Sequence, residues 1–314
     1  MTRALRPPGP TAAAGDVVDL PVGPARVGPV RGFLRLVVIE HSVFALPFAY
    51  IAALTAMATG PGRVDVVTLV LITAAMVAAR TFAMGANRVI DRELDSRNPR
   101  TAGRELVTGA VPVRAAVAGT AVSLAVFLLV AAALPPICLA LAPVAVVPLV
   151  GYPYTKRFTW LCHAVLGLAQ AVAPVGAWLA VTGTWSWTAV LLGLALGTWV
   201  AGFDLIYACQ DVESDRREGV RSVPARFGVA AALRASAVVH VVTMALLVAF
   251  GRAVGMGAWW WVGVAGSAGA LLYEHVIVTA DDLSRVGRAF FTVNGYIGVG
   301  LLVFAVAALL PRLT

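Results

Sequence analysis

Asn87, Asp91 and Asp95 stand four residues apart in RTFAMGANRVIDRELDSRNPRTAGRELVTG, the stretch from Arg80 to Gly109. On a continued helix this spacing stacks side chains on one face, so the three would present a single stripe of oxygen ligands suited to a hard cation. Asp211 and Asp215 repeat the spacing and, like the first group, follow an apolar run. One such pair is also what a solvated amphipathic turn looks like, whereas two, each leaving an apolar run on the same side, form a more specific pattern. Facing one cavity, they could clamp Mg²⁺ ions on a diphosphate. A third polar stretch, Gly151-Tyr152-Pro153-Tyr154-Thr155-Lys156-Arg157, closes another apolar run. Lys and Arg can meet diphosphate oxygens, and Tyr can donate a hydrogen bond to a leaving group or stack near a developing cation. Arg100 and Arg104, in NPRTAGREL, serve equally as phosphate contacts or as loop charges that set topology.

The elements that must position these groups are membrane helices. The 314 residues are 60% hydrophobic and 13% charged, with mean hydropathy +0.87, outside the range of soluble domains and inside that of polytopic membrane proteins. Apolar windows near the length needed to cross a bilayer fall at 34–58, 64–87, 113–133, 136–152, 160–181, 187–208, 233–251, 257–276 and 291–310. The expected fold class is therefore all-α, a polytopic bundle of nine transmembrane helices. The window at 136–152 carries Pro136, Pro143 and Pro148 and is expected to kink. Residues 1–30, rich in Pro, Gly and Ala, read as a disordered cytoplasmic tail, and 31–314 as one membrane domain. Cys138, Cys162 and Cys209 are widely spaced in or beside apolar stretches, which indicates neither a disulfide framework nor a zinc site.

Net charge is +8, but the basic residues sit in short loops, where topology explains them and nucleic acid is not needed as a partner. With the tail inside, twenty of the 24 Lys and Arg residues fall on the cytoplasmic side, only Arg63, Arg252 and Arg312 fall outside, and Arg80 lies within a span. Both Asp motifs then face the cytoplasm. Trp185, Trp187 and Trp259 to Trp261 lie in outer loops, as an interfacial aromatic belt requires. Two ionisable residues fall inside spans: Asp204, seven residues before Asp211, and Arg80, seven before Asn87. Charge is costly there and marks function, although a snorkelling or structurally paired Arg80 fits the same position.

The Asn87-x3-Asp91-x3-Asp95 motif with NPRTAGREL, the Tyr152-x3-Lys156 element and FDLIYACQDVESDRREGVRSVPARFG from Phe203 to Gly228 together resemble the UbiA superfamily of intramembrane prenyltransferases, over about residues 31–310. The resemblance implies a nine-helix bundle around a central cavity open to the cytoplasmic side and to lipid, in the plasma membrane of a bacterium. It implies Mg²⁺ held by Asn87, Asp91, Asp95, Asp211 and Asp215, and transfer of a polyprenyl chain from its diphosphate to an acceptor within the bilayer. Lys156, Arg157, Arg80, Arg88, Arg100 and Arg104 are the candidate diphosphate contacts; Tyr152 and Asp204 would line the reacting centre as its catalytic groups. Arg88 departs from the quinone branch, which usually has Asp there; the haem-farnesylating branch lacks that Asp too, but DxxxD after YACQ resembles enzymes with aromatic acceptors.

The wording NRVIDRELDSRNPRTAGREL is similar to bacterial enzymes of the 4-hydroxybenzoate polyprenyltransferase type, some of which serve the futalosine route to menaquinone. A dihydroxynaphthoate acceptor is therefore expected, with 4-hydroxybenzoate as the alternative; Arg80, Arg35 or protonated His41, beside Glu40, would meet its carboxylate. A secondary transporter using Asp204 and Arg80 would explain the buried charges but not two cytoplasmic Asp pairs. A CDP-alcohol phosphotransferase would require a DGxxAR opening that is absent.

Overall fold

A computed structural model describes residues 44–313. Glu40, His41, Arg35 and the 1–30 tail lie outside the described residues. Among the described residues the structure is entirely helical. The long helices are α1 (Ala45–Thr59), α2 (Val66–Ile90), then, after two short helices α3 (Arg92–Arg97) and α4 (Glu105–Thr108), α5 (Val113–Ala132), α6 (Pro136–Thr155), α7 (Cys162–Thr182) and α8 (Trp187–Ala208). The short α9 (Val212–Glu218) and α10 (Val223–Phe227) precede α11 (Val229–Ala253), α12 (Ala258–Ile277) and α13 (Asn294–Leu309), the last entered through a π-helical turn at Arg288–Val293.

Over the described residues, each apolar window overlaps one of these long helices; the 34–43 part of the first window lies outside them. Seven among the described residues are long and apolar enough to cross a membrane. The other two are α1, with 15 residues, and α12, whose three Trp residues and Glu274–His275 pair dilute its apolar character. The proline-rich window is one continuous helix to Thr155, three residues beyond the expected end, with Pro143, Pro148 and Pro153 inside it. Pro136 stands at its start, where a missing N–H costs nothing.

The helices pack as a closed circuit in which α1 meets α7, α7 meets α8, α8 meets α11, and α12 and α13 return to α1; α2, α5 and α6 complete the other side against α7. The α7–α8 crossing is close because both faces carry glycine: a methyl group on Gly167 would fall 2.2 Å from the Gly197 carbonyl oxygen. Phe44, Phe48, Trp199, Phe203 and Phe290 form the aromatic centre of the core. Trp199 Nε1 donates to Asn294 Oδ1 at 2.8 Å, which satisfies the one polar atom that this centre buries.

Candidate active site

The C-terminal ends of α2, α6 and α8 converge at one end of the bundle. They carry Asp91, Lys156 and Asp211 into a polar cavity of about 160 Å³, lined also by Asn87, Asp95, Asn98, Arg100, Arg104 and Asp215. These groups, distant in the chain, are neighbours around one cavity and are brought together only by the fold.

The first motif is not the single helical stripe its spacing suggested. The helix stops at Ile90, Asp91 takes φ −92° and ψ 1°, and α3 begins at Arg92. Backbone bonds nonetheless bridge the break, from Asp91 N–H to Asn87 O at 2.9 Å and from Asp95 N–H to Asp91 O at 2.8 Å, so the three side chains remain together. The second motif repeats the device. The α8 helix gives way to a 3₁₀ turn at Cys209–Asp211, and Asp211 has φ −101° and ψ 3° before α9 begins. Both residues lie in the sparsely allowed bridge region, where many active-site residues sit. Gly219, at φ 69°, ends α9 in a left-handed conformation that other residues adopt only under strain.

Each carboxylate has a defined partner. Asp91 is 2% exposed; its Oδ2 accepts from Asn87 Nδ2 at 2.9 Å and from Lys156 Nζ at 2.7 Å, while Arg157 lies 3.4 Å from Oδ1. Burial pushes the Asp91 carboxyl above the ordinary carboxylate range, against the pull of Lys156. Asp95 pairs with Arg104 Nη1 at 2.6 Å. Asp211 is gripped by Arg100, through Nε at 2.9 Å and Nη2 at 2.6 Å, and by Asn98 Nδ2 at 2.9 Å. Burial lowers the Arg100 guanidinium, but the hydrogen bonds and charge of Asp211 outweigh it and leave it above its ordinary value. Asp215 accepts from Ser222 Oγ at 2.7 Å. Arg100 and Asn98 follow the first motif and grip the second, so the two are tied directly to each other.

Three of the expected contacts, Arg157, Arg88 and Arg80, sit off this cavity. Arg157 donates to the Pro153 and Ile90 carbonyls and anchors the end of α6 to that of α2. Arg88, 9% exposed, is within electrostatic reach of Asp95, Arg104 and Glu105. Arg80 lies on α2 two turns before Asn87 and lines a second, apolar cavity of about 360 Å³ between α2, α6 and α7. Tyr152 and Asp204, expected to line the reacting centre, are among the lining residues of neither cavity; the Tyr152 phenol lies within electrostatic reach of Arg80, Asp91 and Asp204. Asp204 Oδ2 is 2.7 Å from His163 Nδ1. His163, Asn98 and Ser222 are site residues that spacing alone did not single out, because each acts across the fold rather than along its own helix; Asn98 did carry a signal, its place inside the charged NPR run.

Among the described residues no three His, Cys, Asp or Glu side chains converge into a complete metal site. That agrees with the way Mg²⁺ is commonly held, by one or two carboxylates with substrate phosphates supplying other ligands. The donors fit: they are hard oxygens, and Asp91 Oδ1 is buried without a hydrogen-bond partner.

A charged cavity and an apolar one, both lined by α2 in a bundle of membrane helices, suit an integral membrane enzyme whose substrate has an anionic head and an apolar tail. Residues 45–296 match the UbiA prenyltransferase family. The chain is 32% identical over 244 residues to a 4-hydroxybenzoate octaprenyltransferase of Alkalilimnicola ehrlichii, covering 77% of this chain and 83% of that one. It is 33% identical over 239 residues to the protein of the same name from Aromatoleum aromaticum, covering 75% and 79%. The apo structure of a UbiA homolog from Aeropyrum pernix K1 superposes with TM-score 0.74 at 32% identity, over 87% of this chain and 98% of that one. A UbiA homolog from Archaeoglobus fulgidus bound to GPP and Mg²⁺ shares the fold, with TM-score 0.69 at 18% identity over 88% and 99%. This chain belongs to the UbiA prenyltransferase family. Within it, the chain is an aromatic polyprenyltransferase.

Proposed function

We propose that the enzyme transfers a polyprenyl group from its diphosphate to a hydroxylated aromatic carboxylate of quinone biosynthesis, the two-ring 1,4-dihydroxy-6-naphthoate of the menaquinone route. The observation that carries the reaction is that α2 serves both cavities, Asn87 lining the polar one and Arg80, two turns earlier on the same helix, the apolar one. The diphosphate head lies among Lys156, Arg100 and Arg104, and the prenyl tail lies in the apolar cavity. Asn87, Asp91, Asp95, Asp211 and Asp215 hold Mg²⁺, which when bound offsets the charge of the departing diphosphate. The allylic C–O bond breaks with both electrons leaving on the diphosphate. A ring carbon of the acceptor then bonds to the allylic carbon, and loss of that ring carbon's proton restores aromaticity. Tyr152 faces the developing cation, Asp204 faces the acceptor and takes up its proton, and Arg80 meets the carboxylate. Arg88 and Arg157 support the site from outside the polar cavity.

The charge asymmetry of the loops supports nine spans, a cytoplasmic polar cavity, a cytoplasmic 1–30 tail and residence in a bacterial plasma membrane. The motif wording favours the two-ring acceptor, and the relatives named above favour a second reading, 4-hydroxybenzoate. Membranes containing the enzyme, a long-chain prenyl diphosphate, Mg²⁺ and both acceptors in competition distinguish them. The expected product is prenylated naphthoate with diphosphate released, lost on chelation and restored by Mg²⁺. Exclusive prenylation of the single ring overturns the two-ring assignment, and no metal-dependent transfer to either acceptor overturns the proposed reaction.

A further inference from the structure

We propose that His163 is a positioning residue for prenyl transfer, orienting Asp204 toward the acceptor while the backbone N–H of Val223 fixes its tautomer. The inference rests on the reading of Asp204 as the acceptor-facing carboxylate. His163 is buried at the start of α7, with Nδ1 2.7 Å from Asp204 Oδ2, and its Nε2 accepts from Val223 N–H at 3.4 Å. An amide N–H can only donate, so Nε2 is the acceptor and the imidazole proton resides on Nδ1, directed at the carboxylate. His163 is 7% exposed in its side chain and Asp204 23%, so the imidazole is enclosed while the carboxylate it meets keeps an accessible edge.

Two features keep this pair in register. The glycine-mediated crossing of α7 and α8 lies one turn from His163 and two turns from Asp204, and it prevents the helices from sliding apart. The segment 221–223 is clamped on the other side: Arg221 N–H donates to Lys156 O at 2.7 Å, and Ser222 Oγ donates to Asp215 at 2.7 Å. One short segment therefore touches the Lys156 element, the second Asp motif and, through His163, Asp204. The orientation of Asp204 is coupled to the groups assigned to the diphosphate.

The test is steady-state kinetics in membranes on four variants, with folded protein quantified in detergent for each. His163→Ala is expected to lower kcat by roughly 10- to 100-fold with KM for prenyl diphosphate unchanged, the scale of a misplaced catalytic group. His163→Gln can donate an amide N–H to Asp204 and accept from Val223, and is expected to restore kcat to within about threefold of wild type. Val223→Pro deletes the amide donor while exchanging the isopropyl group for a ring next to Pro224, at the first position of α10 where proline is tolerated and after a Ser222 in extended conformation, and is expected to lower kcat several-fold. Wild-type turnover in His163→Ala overturns the proposal, as does a His163→Gln variant no better than His163→Ala, since that demands the imidazole itself. Should His163→Ala fail to fold, a His163→Gln variant more than tenfold below wild-type kcat, or a folded Val223→Pro variant at wild-type kcat, overturns the proposal. Asp204→Asn at wild-type turnover removes Asp204 from the reaction and is a failure of the proposed function instead.

Discussion

Asp91 and Asp211 occupy equivalent places, each the first acidic residue past an apolar helix and each at a backbone break with φ near −100° and ψ near 0°. A basic side chain holds each carboxylate, Lys156 for one and Arg100 for the other, so charge is neutralised within the chain and can be re-partitioned when an anionic substrate arrives. Asp91→Asn and Asp211→Asn are each expected to lower turnover by at least about 100-fold while the protein remains folded in membranes, because each deletes a hard anionic ligand. Arg88 makes the opposite case. It lies off the polar cavity beside Asp95 and Arg104, so Arg88→Ala is expected to leave KM for prenyl diphosphate within about threefold and to lower thermal stability by leaving buried carboxylates less well compensated. A tenfold rise in that KM would place the guanidinium on the diphosphate.

At the level of elements, helix ends make the site. Three C-termini meet at the polar cavity, and the negative ends of their dipoles favour the cations Lys156 and Arg157 that cap α6. The apolar cavity is made instead by small residues on α6 and α7, among them Ala142, Ala169 and Gly176. A side chain at Gly176 would meet open space. Gly176→Leu is therefore expected to fold at least as well as wild type, since leucine is the better helix former, and to narrow the tail cavity. The measurable outcome is a shift in preference toward shorter prenyl diphosphates; an unchanged chain-length profile would mean the tail lies elsewhere.

For the whole molecule, the circuit of helices and the direction of the basic loops make one further demand. Reporters fused after Arg104 or Arg221 are expected to read cytoplasmic, and reporters near Trp185 or Trp260 exterior. A cytoplasmic reading at Trp260 would mean that the number of crossings before α12 differs from the one the basic loops require.

Much of this was legible in sequence because the bilayer imposes strong rules. Apolar runs of about 20 residues must be helices, since backbone polar groups have no water to satisfy them there, and so the element windows and fold class followed from hydropathy alone. The i, i+4 carboxylates and the polar stretch at Lys156 were also legible as groups worth placing together, because charge left at the ends of apolar helices is costly without partners, and the fold does gather them into one cavity. What sequence could not supply was distance across the fold. That Arg100 grips Asp211, that His163 backs Asp204, and that α2 breaks at Asp91 without dispersing its ligands each depends on contacts between residues far apart in the chain or on a local turn that helical periodicity does not encode. Periodicity reports which side chains share a helix face; only packing decides which faces meet, and the glycine crossing of α7 and α8 is where that decision is made for Asp204.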